Sequence, residues 1–207
     1  MRLSKTLPED IEEIIASGDL GAVARAVEGC QIGAYLRRSA YEPRLMHFPA
    51  SQEITAFLLE RGEDINSRDR YEQTPVHWRV MNRRVDQIPY LVSRGADINA
   101  RDWDDRTPLF DAVRILEASD VERMISWGAN ARVVAKSRFH GKVTLTEHTL
   151  GEEVFLDAPR ALGVIRVLLA HRARTGKRER ESLRSMDSLR CAFITHGHSG
   201  VPDSRFD

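Results

Sequence analysis

Apolar residues in this chain recur at helical spacing, but in short bursts. Ile11, Ile14 and Ile15 follow the acidic start Pro8-Glu9-Asp10. Val23, Ala26 and Val27 follow the linker Ala16-Ser17-Gly18-Asp19-Leu20, so residues 7–29 predict two short helices in succession. Ile54, Phe57, Leu58 and Leu59 predict a further helix, and the run 164–170 predicts a later one. Leu183, Met186 and Leu189 keep the same spacing within 178–193. Two stretches break the helical pattern. Residues 142–146 and 153–156 read as strands on either side of Gly151, an enlarged β-hairpin finger.

The bursts are set in a repeat. Gly62-Glu63-Asp64-Ile65-Asn66-Ser67-Arg68-Asp69 returns 33 residues later as Gly95-Ala96-Asp97-Ile98-Asn99-Ala100-Arg101-Asp102. Thr74-Pro75 and Thr107-Pro108 each stand five residues beyond those aspartates, and Gly128-Ala129-Asn130-Ala131-Arg132 opens a third copy. A fixed period of this length marks stacked supersecondary units. Thr-Pro suits a helix start, where the hydroxyl satisfies an orphan N–H and proline loses nothing. Gly62, Gly95 and Gly128 suit left-handed helix ends, and the aspartate-rich stretches suit turns. Each unit is then a turn and two antiparallel helices that bury an apolar face only by stacking.

These segments resemble the ankyrin repeat: Thr-Pro-Val-His at 74–77, Thr-Pro-Leu-Phe at 107–110, Leu-Leu-Glu-Arg-Gly at 58–62 and Gly-Ala-Asp-Ile-Asn at 95–99. The likeness is sharp over 54–132 and degenerate on either side. It implies an all-α solenoid of about five helix-turn-helix repeats with β-turn fingers. The expected units are an N-terminal capping repeat at 7–40, central repeats at 41–73, 74–106 and 107–132, a repeat with the inserted hairpin at 133–175, and a C-terminal cap and tail at 176–207. The hairpin falls near 133–157, because Arg172 lies 44 residues after Gly128, leaving about 11 residues beyond one period. In the 41–73 unit, Met46-His47-Phe48 stands for the Leu-His pair, and Pro49 ends the first helix about one turn early. Arg79-Val80 replaces the family's Ala-Ala pair, Arg83-Arg84 its Gly-His, and Pro89 is expected to shorten or kink a second helix.

Composition narrows the function. Lysine and arginine total 31 against 31 acidic residues, so the chain lacks the basic excess of a general polyanion binder, and nucleic acid is not an expected partner. Two cysteines, Cys30 and Cys191, form no framework or Cys-x-x-Cys pair, which fits a reducing compartment. No apolar run has the length of a signal peptide or a membrane span, so the expectation is a soluble cytoplasmic protein.

Candidate chemistry is sparse. His196-Gly197-His198 near Cys191 lacks the spacing and ligand number of a zinc site, and reads as a surface tail. His77 and His47 resemble the family's structural histidine. Asp102, Asp104, Asp105 and Asp111 read as solvated turn and helix-start charge, with a patch for a basic partner as the other reading. The basic run 172–184 is interrupted by Glu179 and Glu181 and reads as a solvated helix face. No phosphate loop, nucleophile elbow or paired metal-binding histidine motif appears, so no catalytic residue, metal or cofactor is expected. The competing readings are a nucleic-acid-associated protein using 172–184, and a metal-dependent enzyme using His140, Glu147 and His148 in the 139–148 insertion.

The resemblance places a partner protein on the concave side, built from turn tips and first helices. In one unit that face comprises Arg70, Tyr71, Gln73, Met81 and Asn82. In the next it comprises Trp103, Asp104, Arg106, Arg114 and Ile115. Tyr71 and Trp103 stand two and one residues after their aspartates, in turn positions read as equivalent. An exposed aromatic beside arginine has the chemistry of an interface hot spot, against the alternative that Trp103 folds back onto the neighbouring turn. The expected function is a non-catalytic protein-interaction module. Its sharper form, by analogy alone, is an inhibitor or immunity-type protein seated over a partner enzyme.

Overall fold

The computed structural model describes residues 3–137, 141–149 and 158–171, all within one compact unit ending at residue 174. The expected helix at 178–193, the tail, the basic run 172–184, His140 and the 153–156 strand lie outside the described residues.

Helices come in short pairs: α1 (Ile11–Ala16) with α2 (Leu20–Val27), α4 (Pro75–Met81) with α5 (Ile88–Ser93), α6 (Pro108–Ile115) with α7 (Ala118–Ser126), and α8 (Leu145–Thr149) with α9 (Ala158–Ala170). Between the first two pairs, a 3-10 turn at Leu45–His47 packs on α3 (Gln52–Glu60). No helix of six to nine residues is stable alone in water, so the stack holds them. The Leu45–His47 turn, α4, α6 and α8 pack in succession, and α7 packs on α9. One core runs through the stack, including Ile11, Ile54, Leu58, Val80, Leu91 and Met124.

The motif residues act as expected at the helix ends. Gly62, Gly95 and Gly128 have φ of 99°, 98° and 103°, and the next residue's N–H reaches back to Leu58, Leu91 and Met124 carbonyls at 2.9–3.0 Å. That is the left-handed helix end only glycine adopts freely. His77 Nδ1 accepts the Thr74 N–H at 3.1 Å, so Nε2 carries the proton and donates to the Arg106 carbonyl of the next unit at 3.2 Å. His47 repeats this on the Arg44 N–H (3.1 Å) and the Gln73 carbonyl (3.0 Å). In the following unit Phe110 takes the histidine's place, and the buried Thr107 hydroxyl is left without a partner. The expectation that Thr107 caps its helix through the hydroxyl is therefore corrected.

Four further features depart from the sequence expectation. A parallel ladder joins β1 (Ser4–Thr6) to β2 (Cys30–Tyr35) around the first helical pair, so the N-terminal region is not purely helical. Within β2, side chains serve the Gly33 backbone: its N–H donates to Glu63 Oε2 (2.9 Å), and Arg44 Nη1 donates to its carbonyl (3.2 Å). A short hairpin forms ahead of the expected one, with β3 (Val134–Ser137) antiparallel to β4 (Gly141–Thr144) in register Val134↔Thr144 to Ser137↔Gly141, while the expected pairing of 142–146 with 153–156 lies outside the described residues. Leu145 and Thr146 are helical instead of extended. Thr144 N–H donates to Glu147 Oε2 (2.9 Å) and Glu147 N–H to Thr144 Oγ1 (3.2 Å), a capping box that starts α8 where strand was expected. Of the two effects expected of Pro89, the kink is absent, and α5 is short, six residues against nine in α3 and α7. Pro89 lies in the first turn of α5, after a 3-10 turn at Val85–Gln87, where a missing N–H costs nothing.

The missing helical turn at Pro49 has a partner. Phe48 and Pro49 end the 3-10 turn after three residues, leaving carbonyls with no following helix to bond. Arg79 of α4, only 1% exposed, donates Nη1 to the His47 carbonyl at 2.8 Å and the Met46 carbonyl at 3.4 Å. Burial lowers its pKa to about 10, so it stays charged at neutral pH. The residue that replaced the family's small alanine thus fills the space of the absent turn and serves its free acceptors. Arg61 does the same for the Val27 and Cys30 carbonyls after α2, and Arg160 for the Val113 and Leu116 carbonyls after α6. Cations at helix C-termini also complement the dipole.

Arg79→Ala is expected to lower stability by about 3 kcal/mol through a cavity and two stranded carbonyls, and Arg79→Met by about 2 kcal/mol because it refills the volume only. Urea denaturation of the two variants separates filling from capping. Acid gives a second prediction. Burial lowers the His77 pKa from 6.5 to about 4, so its stability contribution is complete above about 6.5 and is lost as pH falls toward 4. His77→Gln is expected to cost about 2 kcal/mol at pH 7 but to flatten the fall in urea midpoint between pH 7 and 4.

Candidate protein-interaction surface

Between helical pairs, the turns project as fingers whose shape is written by aspartates. Asp69 Oδ1 accepts the Tyr71 and Gln73 N–H groups at 2.8 and 2.9 Å. Asp102 Oδ1 accepts the Asp104 and Arg106 N–H groups at 3.0 and 2.9 Å. Glu72 and Asp105, at φ 62° and 58°, make the tight turn at each tip. Arg68 Nη1 ties its own finger at the Glu72 carbonyl (2.9 Å) to the next at the Arg101 carbonyl (2.7 Å). Arg101 repeats the tie on the Asp105 and Val134 carbonyls. Asn66 Nδ2 donates to the Gly95 carbonyl (3.0 Å) while its Oδ1 accepts the Asp97 N–H (2.8 Å), and Asn99 does the same at Gly128 and Asn130.

Backbone bonds join neighbouring fingers and reveal their register. Arg70 N–H donates to the Tyr41 carbonyl (2.8 Å), Trp103 N–H to the Tyr71 carbonyl (3.1 Å), and Lys136 N–H to the Asp104 carbonyl (2.9 Å). Trp103 therefore corresponds to Arg70, and Asp104 to Tyr71. The expected equivalence of Tyr71 and Trp103 is corrected by one residue. The shift places the indole beside the preceding tyrosine. Tyr41, Tyr71 and Trp103 form a row, with ring centroids 5.0 Å and then 6.4 Å apart. Trp78 of α4 stands behind it, edge-on to Tyr41 at 5.9 Å, its indole N–H held by Asp69 Oδ2 at 2.9 Å. Trp103 leans on Tyr71 yet remains 69% exposed, so it belongs to the surface and not the core.

The other expected contact residues divide into groups. Arg70 is exposed beside the row and lies 3.8 Å from Glu42. Gln73 is half-buried at the finger base, with its Oε1 lacking a partner. Asp104 and Arg106 lie in the next finger, and Arg114 is exposed in the last turn of α6. Met81 and Asn82 end α4, about 9 Å along its axis from the finger side. Asn82 caps that helix on the Trp78 carbonyl (2.9 Å). Ile115 packs against the core. Tyr41 and Trp78 were not among the expected residues. Tyr41 precedes Tyr71 by 30 residues, the same separation as His47 and His77, so the shortened unit carried the signal.

The acidic group is not uniformly solvated. Asp105 pairs with Lys136 Nζ at 2.9 Å at the surface. Asp111 is buried on α6, and desolvation followed by the nearby Asp102 raises its pKa to about 6, against the pull of Arg114 and Arg106. Desolvation also raises Asp102. Glu147 is engaged in the α8 capping box. His148 lies with its ring 5.6 Å from Phe110, and burial lowers its pKa to about 4, so it is neutral at pH 7. Among the described residues no group of three His, Cys, Asp or Glu is placed to hold a metal ion, and no helix is long and apolar enough to cross a membrane.

Stacked helical pairs with side-chain-braced fingers define a repeat scaffold. Residues 44–134 match the family model for ankyrin repeats in 3 copies, and across that segment the chain is built of ankyrin repeats. Such repeats generally mediate protein–protein interaction. No curated protein matches the chain.

Because its folded pKa is raised, Asp111 contributes fully below its ordinary value of 3.8 and loses that contribution as pH rises through about 6. Asp111→Asn is expected to stabilise the chain by on the order of 2 kcal/mol at pH 7, a gain that disappears near pH 4. Urea midpoints of the two proteins at both pH values test it.

Proposed function

We propose that this chain binds a partner protein through its finger row and inner helices, without catalysing a reaction. Tyr41, Tyr71 and Trp103 with Arg70 are the anchor, and Gln73, Asp104, Arg106 and Arg114 surround it. Met81, Asn82 and Ile115 extend the face toward the far ends of α4 and α6. The observation that carries the reading is an exposed aromatic row on fingers already fixed by aspartate, arginine and asparagine ties. Tyrosine, tryptophan and arginine dominate interface hot spots, and a preorganised surface loses little entropy on docking. Helical pairs from residue 11 to residue 171 work as one scaffold of five units. Its sharper role is inhibition, with the finger row seated over a partner enzyme.

Affinity capture from source cells, with identification of the partner and calorimetry on the purified pair, tests this. Tyr71→Ala with Trp103→Ala is expected to weaken binding by about 100-fold or more while circular dichroism stays unchanged. Unchanged affinity places the interface elsewhere. Loss of the partner's own activity on titration with wild-type chain is the outcome expected of an inhibitor.

A further inference from the structure

One seat is filled differently in two successive units. In the unit of α4, Asp69 uses Oδ1 for its finger's backbone and Oδ2 for the Trp78 indole N–H at 2.9 Å. In the unit of α6, Asp102 Oδ1 binds its finger in the same way. The residue 33 positions after Trp78 is Asp111, so a hydrogen-bond donor has been replaced by an acceptor. Asp111 is 8% exposed, and its Oδ2 has no hydrogen-bond partner among the described residues. A buried carboxylate oxygen without a donor is costly and rare in native proteins. Arg106 and Arg114 lie near enough to favour its charge, yet desolvation and Asp102 outweigh them, and neither donates to Oδ2. Trp103 follows Asp102 directly and presents an open ring. Trp127, in contrast, already holds the Arg123 guanidinium 5.0 Å from its centroid.

We propose that Asp102 and Asp111, with Trp103 beside them, form the seat for an arginine side chain of the partner protein. This rests on the finger-face reading above and adds the chemistry of the residue received. Two carboxylates call for a donor that serves both, and a flat cation can bind them in forks while stacking on indole. Lysine offers a point charge without the plane. The raised pKa of Asp111 agrees, since a bound cation offsets both the desolvation of its charge and the repulsion from Asp102.

The test uses the full chain, ¹⁵N-labelled, titrated with the peptide acetyl-Gly-Arg-Gly-amide and with its uncharged citrulline counterpart. The indole N–H of Trp103 is followed, with Trp127 as internal control. The expected result is a saturable Trp103 shift with the arginine peptide at about millimolar concentration, and about tenfold weaker binding of the citrulline peptide. Asp111→Asn keeps the side-chain shape and removes a like charge, and is expected to weaken the arginine peptide by about tenfold. Equal binding of the two peptides, no saturable shift, or an Asp111→Asn variant that binds like wild type overturns the proposal. The last outcome means that Arg106 or Arg114 fills the seat in solution. None of these outcomes alters capture of the native partner through Tyr71 and Trp103, so failure here is distinguishable from failure of the finger-face reading.

Discussion

Everything in this fold depends on side chains of one unit satisfying backbone groups of the next. His47 and His77 reach the Gln73 and Arg106 carbonyls. Asn66 and Asn99 reach Gly95 and Gly128. Arg68 and Arg101 reach Arg101 and Val134. Each bond contributes only about 1 kcal/mol net, but losing one strands a polar group, so together they set how the units align. Helices this short have no stability apart from the stack, and neighbour contacts and these ties are what the stack consists of.

The irregular units show the same constraint under repair. Where Pro49 cuts a helix short, a buried arginine from the following unit takes over the exposed carbonyls. Arg61 and Arg160 serve the ends of α2 and α6 in the same manner. A cation suits these places because several carbonyl dipoles point into one spot, and a guanidinium can donate to more than one of them. Repeats thus diverge in sequence while their unpaired acceptors are still met.

Fingers held this firmly turn exposed side chains into a fixed pattern. The backbone bond from Trp103 to Tyr71 decides where the indole lies, and Tyr41 and Trp78 continue the aromatic surface behind it. Two exchanges distinguish the unit of α6 from its neighbour: Phe110 for histidine, and Asp111 for tryptophan. Both remove internal hydrogen bonds, leaving the Thr107 hydroxyl and the Asp111 carboxylate among the buried polar groups with an unmet atom. A protein that keeps such groups buried retains free energy that a ligand of the right chemistry can release.

The central repeats were legible from residues alone, because glycine at a left-handed helix end, proline at a helix start and aspartate in a turn each act within a few positions. The 33-residue period carried the stacking order for the same reason. The β1–β2 ladder was not legible, since a three-residue strand such as β1 has no periodicity and its pairing with β2 spans the first two helices. Thr144 and Glu147 outweighed the strand-like look of Leu145 and Thr146 alone, because a capping box fixes local geometry more strongly than a short β-branched run, while 142–144 are extended in β4. Arg79 looked like mere divergence until the gap left by Pro49 was seen beside it. The one-residue offset between Tyr71 and Trp103 was already present in their spacing from Asp69 and Asp102, whereas the donorless pairing of Asp102 with Asp111 depends on tertiary contacts that no local pattern encodes.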